Sequence, residues 1–198
     1  MKIGSPDPRA DLRRVAAVRQ AIGPDAHLMV DVNCHWDLPT ALRWGPALDE
    51  LNIDWLEEPM NPYDVKSHAA LQAAMAAPLL VGENLSSLTV WRDYLEQRAC
   101  GLVQPDVTRL GGVTRWLDVA ALARANNQRV VPACWDSMQV SIHLAVATPE
   151  CHLMEHLNWT LDIFEERLVI KDGWLYAPKG PGVGATVRAD VIGRYRVA

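Results

Sequence analysis

The sequence predicts an α/β fold, specifically a (β/α) barrel that is incomplete. Three observations lead there. Short apolar strands alternate with helical segments along most of the 198 residues, the connections between them are short, and three strands end in a carboxylate at a fixed interval. Repeated strand–helix alternation implies a parallel sheet. At least six such units in a row favour a barrel over an open doubly wound sheet. No G-x-G-x-x-G follows any strand, which weakens a dinucleotide-binding alternative.

The elements follow in order. Asp11 to Ile22 is helical by pattern, with Leu12, Val15, Ala16 and Val18 forming an apolar stripe among arginines and Gly23 as the stop. A strand over His27–Val32 leads to a helix over Leu38–Leu51, a strand over Ile53–Leu56 and a helix over Val65–Met75. Next come strand Leu79–Val81, helix Leu88–Gln97, strand Leu102–Val103 and helix Gly112–Ala125. Strand Val130–Val131, helix Met138–Ala147 and strand Cys151–Met154 complete the series. After Trp159 the pattern changes. Lys171 to Tyr176 reads as a hairpin on an Asp-Gly turn, and residues 178–184 hold too much Pro and Gly for a helix. Residues 1–159 are therefore expected to be the barrel, and 160–198 a tail.

Composition narrows the function classes. A net charge of −5 without a basic cluster argues against a nucleic-acid partner. No apolar run is long enough for a membrane span, and the N-terminus lacks the apolar stretch of a secretory signal. Cys34, Cys100, Cys134 and Cys151 show no CxxC spacing, which suits reduced thiols in a cytoplasmic protein.

The carboxylates are Asp31, Glu57 and Glu83, separated by 57 − 31 = 26 and 83 − 57 = 26 residues. That interval suits one strand, one helix and two loops. Parallel strands would bring all three to one edge of the sheet, the C-terminal edge where barrel active sites lie. Three hard oxygen ligands there would suit Mg²⁺. Asn33, two residues beyond Asp31, is expected to share its face and could hydrogen-bond a substrate hydroxyl. Glu58 is expected to point the opposite way from Glu57.

These motifs carry a resemblance. Val-Asp-Val-Asn (30–33), Trp-Leu-Glu-Glu-Pro (55–59), Val-Gly-Glu-Asn (81–84) and Gln-Pro-Asp-Val-Thr-Arg-Leu-Gly-Gly-Val-Thr (104–114) occur in that order. With Asp-Gly-Trp-Leu and the Pro-Gly-Val-Gly loop (172–184), they resemble the barrel domain of the enolase superfamily, in its mandelate racemase and muconate lactonizing branch. The resemblance implies that Asp31, Glu57 and Glu83 hold Mg²⁺. It also implies chemistry that abstracts a proton α to a carboxylate and passes through an enediolate, with a Lys or His base. Met1-Lys2-Ile3-Gly4 is similar to the end of the family's Lys-x-Lys motif and makes Lys2 the candidate base. Asp106 matches the sixth-strand Asp that orients a seventh-strand His, yet Ala133 stands where that His is expected. Asp136 is expected to cap the following helix rather than to replace the missing base. Glu155 matches the eighth-strand acid near the substrate carboxylate, and His35 is a candidate proton donor or substrate contact.

The family's N-terminal capping domain, its first barrel strand and the first lysine of Lys-x-Lys have no counterpart in these residues. The expectation is therefore a fragment whose tail would return to the cap, with homo-oligomers possible. The implied activity is dehydration of a sugar acid, a small carboxylate substrate, by a single base. The alternatives are a racemase or epimerase of the same branch, and a catalytically silent barrel that keeps the metal site.

Overall fold

The computed structural model describes residues 1–135, 137–157, 159 and 162–196. Asp136 lies outside these. The order is α1 (Pro8–Ile22), β1 (Met29–Asp31), α2 (Leu38–Asp49), β2 (Trp55–Glu57), α3 (Val65–Ala74), β3 (Leu79–Val81) and α4 (Leu88–Glu96). There follow β4 (Leu102–Val103), α5 (Val113–Ala125), β5 (Arg129–Val130), α6 (Met138–Val146), β6 (Val169–Lys171), β7 (Trp174–Tyr176) and α7 (Ala189–Tyr195). The first three helices start where acidic side chains cap free amides. Asp7, Asp37 and Asp64 accept from the backbone N–H of Arg9, Thr40 and Ser67. The cap at Asp7 and a proline in the first turn start α1 earlier than its apolar stripe suggests.

The strands β1 to β5 form one parallel sheet in sequence order. Lys2 bridges Asp31 at one edge and Cys151 bridges Val130 at the other, both parallel, which extends the series to seven positions. The strand expected over Cys151–Met154 is reduced to that single bridge, and the one expected over His27–Val32 to three residues. Among the described residues the series is not closed by pairing between Lys2 and Cys151. The fold is thus a (β/α) barrel left open.

Both faces of the sheet are apolar, as in parallel sheets covered on both sides. Val30, Leu56, Leu79, Val81, Val103 and Val130 join Trp91, Trp116 and Leu48 in the helix-side core. Trp55, Leu80, Leu102 and Val131, with Met29, form a second cluster on the inner face. The hairpin is present as expected, with Asp172 and Gly173 both at positive φ (52° and 79°). Leu168 packs with Cys134, Met138 and Ile142, so the tail begins against α6.

Candidate active site

Strand alternation decides which side chains enter the barrel. Met29 and Trp55 face inward, so Asp31 and Glu57, two residues on, do as well. They are direct partners across β1 and β2. By the same count from Leu102, Gln104 also faces inward, and its Nε2 donates to Glu57 Oε1 at 2.9 Å. Trp55 Nε1 donates to the other oxygen at 3.3 Å.

Glu83 arrives differently. Glu57 pairs with Leu80, not with Glu83, so equal sequence intervals do not mean equal register. Simple alternation from Leu80 would send Glu83 to the helix side. Gly82 at φ 131° reverses it: a Cβ there would meet Trp91 at 1.9 Å and the Gln104 carbonyl at 2.9 Å. Only glycine adopts this backbone cheaply. Glu58 is fully buried, as its opposite orientation from Glu57 requires. It accepts from the Gly82 N–H at 2.6 Å and from the Cys34 thiol at 3.1 Å, tying three strand ends together beneath the rim.

Lys2 lies beside β1. Ile3 N donates to the Asp31 carbonyl at 2.8 Å, and Asp31 N to the Met1 carbonyl at 3.0 Å. The Lys2 ammonium donates to Asp31 Oδ2. The segment is pinned from below by buried Asp11, which accepts from Gly4 N (2.9 Å), Ser5 N (2.7 Å) and Arg14 (2.7 Å). Burial would raise the Asp11 carboxyl, but these hydrogen bonds outweigh it and hold it low. Gly4, at φ 98°, crosses so near the next turn that a Cβ would meet the Val32 carbonyl at 2.7 Å and His35 Cβ at 3.2 Å. This brings the Lys2 segment and His35 together.

The electrostatics are those of crowded carboxylates. Burial, then the charge of Asp31, pushes Glu57 up to about 7. Burial, then Glu58, Glu57 and Asp31, does the same to Glu83, also to about 7. Burial alone would lower Lys2, but the hydrogen bond to Asp31 and the fields of Asp31, Glu57 and Glu83 raise it. Glu155 is raised by burial and accepts from Cys134 N at 3.3 Å. Among the described residues no three His, Cys, Asp or Glu side chains are drawn into a ready-made metal cage. The carboxylates of Asp31, Glu57 and Glu83 are neighbours in one field instead, with Lys2 against Asp31. As a donor set, mutually repelling carboxylate oxygens fit a hard divalent cation.

The remaining candidates are placed as follows. Asn33 does not continue the strand face of Asp31. At φ 47° it turns the chain, and its backbone N–H donates to Asp31 Oδ1 at 2.7 Å. His35 is exposed and its Nδ1 is 2.9 Å from the Val32 carbonyl. Asp106 and Ala133 each lie three residues beyond paired Val103 and Val130, so they are register equivalents on adjacent strands. Asp106 Oδ1 accepts from Thr108 N and Arg109 N (both 2.8 Å) and from the Thr108 hydroxyl (2.5 Å). Among the described residues its Oδ2 is buried without a partner, and Ala133 is fully buried. Gln104 and Cys34 were not singled out as site residues by sequence, although Gln104 ends its strand as the acids end theirs.

Known proteins resemble this chain in sequence and fold. L-talarate/galactarate dehydratase of Salmonella typhimurium is 36% identical over 187 residues, covering 94% of this chain and 46% of that protein. The 3,6-anhydro-alpha-L-galactonate cycloisomerase of Streptomyces coelicolor is 32% identical, covering 100% and 54%. The crystal structure of L-talarate dehydratase from a Polaromonas species, complexed with Mg and L-glucarate, superposes with a TM-score of 0.90 at 38% identity, covering 98% of this chain and 53% of that one. The chain thus spans about half the length of these relatives. The family described as enolase C-terminal domain-like matches residues 1–191, and the chain belongs to it.

Proposed function

We propose that this chain carries the metal-binding and proton-abstracting face of a Mg²⁺-dependent acid-sugar dehydratase. The observation that carries the reading is the shared inward face of Asp31, Glu57 and Glu83 with Lys2 beside it. Similarity to dehydratases, one of them crystallised with Mg and a hexarate, supports the same substrate class.

Asp31, Glu57 and Glu83 would hold the ion, with Gln104 fixing one oxygen of Glu57. Bound there, Mg²⁺ would supply positive charge for the oxyanion that develops on the substrate carboxylate and would offset the acidic field that keeps Lys2 protonated. Neutral Lys2 takes the proton α to the carboxylate, and Asp11 and Gly4 hold it at the rim for that purpose. Glu155, whose carboxyl burial pushes up, hydrogen-bonds a substrate carboxylate oxygen. Departure of the β-hydroxide requires a proton. His35 is the group to supply it: its Nδ1–H donates to the Val32 carbonyl, so Nε2 carries a proton only in the imidazolium.

The single base favours elimination. Two-base racemisation needs an acceptor on the opposite face, and Ala133 provides none. The unpartnered Asp106 Oδ2 favours a second reading, in which the barrel keeps the metal site and has lost turnover. Assaying 2-keto-3-deoxy product from aldarates and aldonates, L-talarate and galactarate among them, with and without Mg²⁺, separates the two. Mg²⁺-dependent product supports the dehydratase. Calorimetric Mg²⁺ binding with no product from any acid sugar would sink it.

A further inference from the structure

We propose that the N-terminal mouth of the barrel, at the end of the sheet away from the acids, is a second ligand site that takes a small carboxylate with an apolar body. The inference stands apart from the dehydratase reading. A cavity of ≈ 220 Å³ opens at this mouth. Its floor is Met29, Trp55, Leu102 and Val131, which belong to the apolar cluster on the inner face of the sheet. Two residues of strand separate Met29 from Asp31 and Trp55 from Glu57, about 7 Å along the strand. The cavity and the carboxylate cluster thus occupy opposite ends of the same strands.

The floor is not sealed. Trp55, Leu102 and Val131 keep 8%, 7% and 8% exposure, whereas Val30, Leu56, Val103 and Val130 on the helix side keep none. Apolar surface left wet inside a concave pocket favours an apolar ligand body. An apolar cavity of about 150 Å³ is enough to hold benzene, so this one has room for a six-membered ring and a head group.

Charge at the rim selects the head group. His27, Asp54, Arg129, Glu150 and His152 surround the opening. Both carboxylates are already engaged through both oxygens. Asp54 accepts from His27 Nδ1 (2.6 Å) and from Leu28 N (2.6 Å). Glu150 accepts from Nε and Nη2 of Arg124 (2.6 and 3.1 Å). Arg129 pairs in register with inward-facing Leu102 and lies two residues before Val131, so it shares the inner face. Its side chain is exposed, and among the described residues it forms no ion pair. The guanidinium presents a planar fork that matches a carboxylate. An ammonium head group would meet the same cation with both acids already committed.

Trp55 makes occupancy readable. Its ring lines the cavity, and its Nε1–H donates to Glu57 Oε2 at 3.3 Å. The test titrates benzoate, benzyl alcohol and benzylamine into the intact chain with Mg²⁺ present. It follows the indole N–H signal of Trp55 by NMR, assigned by its loss in Trp55→Phe. Benzoate has no α-proton, so turnover cannot intervene. We expect benzoate to bind with a Kd of about 1 mM, about threefold more tightly than benzyl alcohol, with benzylamine weakest. Arg129→Gln, a change at an exposed position, should bring benzoate to the level of benzyl alcohol and leave the alcohol unchanged. Arg129→Lys should restore part of the preference. Chelating Mg²⁺ should leave benzoate binding as it was. The inference is overturned if no probe moves the Trp55 signal, if benzoate binds no better than the alcohol, or if its preference survives Arg129→Gln. A benzoate response that vanishes with chelator would assign it to the metal cluster and overturn the inference. So would an affinity that falls as protein concentration rises, which would mean that a second copy fills the mouth. The dehydratase reading is decided separately, by product formation.

Discussion

The acidic rim makes a sharp prediction about stability. Glu57 and Glu83 are both pushed from 4.5 to about 7 in the folded chain. At ~1.36 kcal/mol per pH unit this corresponds to ~3.4 kcal/mol each, or ~7 kcal/mol for both. The two share one repulsion and are partly reached by water, so about a third, ~2 kcal/mol, is the expected net effect. Between about 4.5 and 7 the folded state holds protons that the unfolded chain has released, so stability falls as pH rises through that window. Buried His68 works in the opposite sense, because burial lowers its pKa and its stabilising contribution is lost as pH falls. A difference measurement cancels it. Urea unfolding with a chelator present should show the Glu57→Gln/Glu83→Gln variant gaining ~2 kcal/mol over the parent between about pH 5 and pH 7.5. Gln keeps the shape and still accepts from Gln104. Mg²⁺ added near neutrality should stabilise the parent and leave the double variant unchanged. Identical pH slopes for the two proteins would refute the account of the cluster.

Other outcomes follow from the same geometry. Gly82→Ala combines a forbidden φ with a Cβ inside Trp91 and should cost about 3 kcal/mol or more, lowering Tm by ~10 °C; a scan with unchanged Tm would exclude it. Gly4→Ala should leave circular dichroism native while turnover falls, because its Cβ displaces the Lys2 segment from Asp31. Lys2→Met should reduce α-proton exchange in D₂O by about 10² or more, with Mg²⁺ binding retained or tightened as the competing ammonium is removed. Ala133→His restores an imidazole at the register position beside Asp106, and gained exchange in D₂O would show that its free Oδ2 can still orient a base.

The strand–helix rhythm, the parallel order and the strand-end position of each acid were legible because period and spacing are local properties of the chain. Lys2 could be named from Met-Lys-Ile-Gly, but its place beside Asp31 depends on Asp11, nine residues further along, capturing two backbone amides. Asn33 was expected on the face of Asp31, and the left-handed turn at Asn33 and Cys34 broke that alternation. The strand over Cys151–Met154 looked as apolar as the others. It forms one bridge, since pairing needs a partner beyond Val130 in register as well as a pattern.

The sequence by itself determined that three carboxylates recur every 26 residues at the ends of buried parallel strands, and so that a hard-cation site was to be expected on one edge. Only the tertiary structure decided which face each acid takes. Asp31 and Glu57 are true register partners, whereas Glu83 faces the barrel because Gly82, wedged between Trp91 and the Gln104 carbonyl, reverses the strand. Register depends on contacts between strands, and no one-dimensional interval contains it.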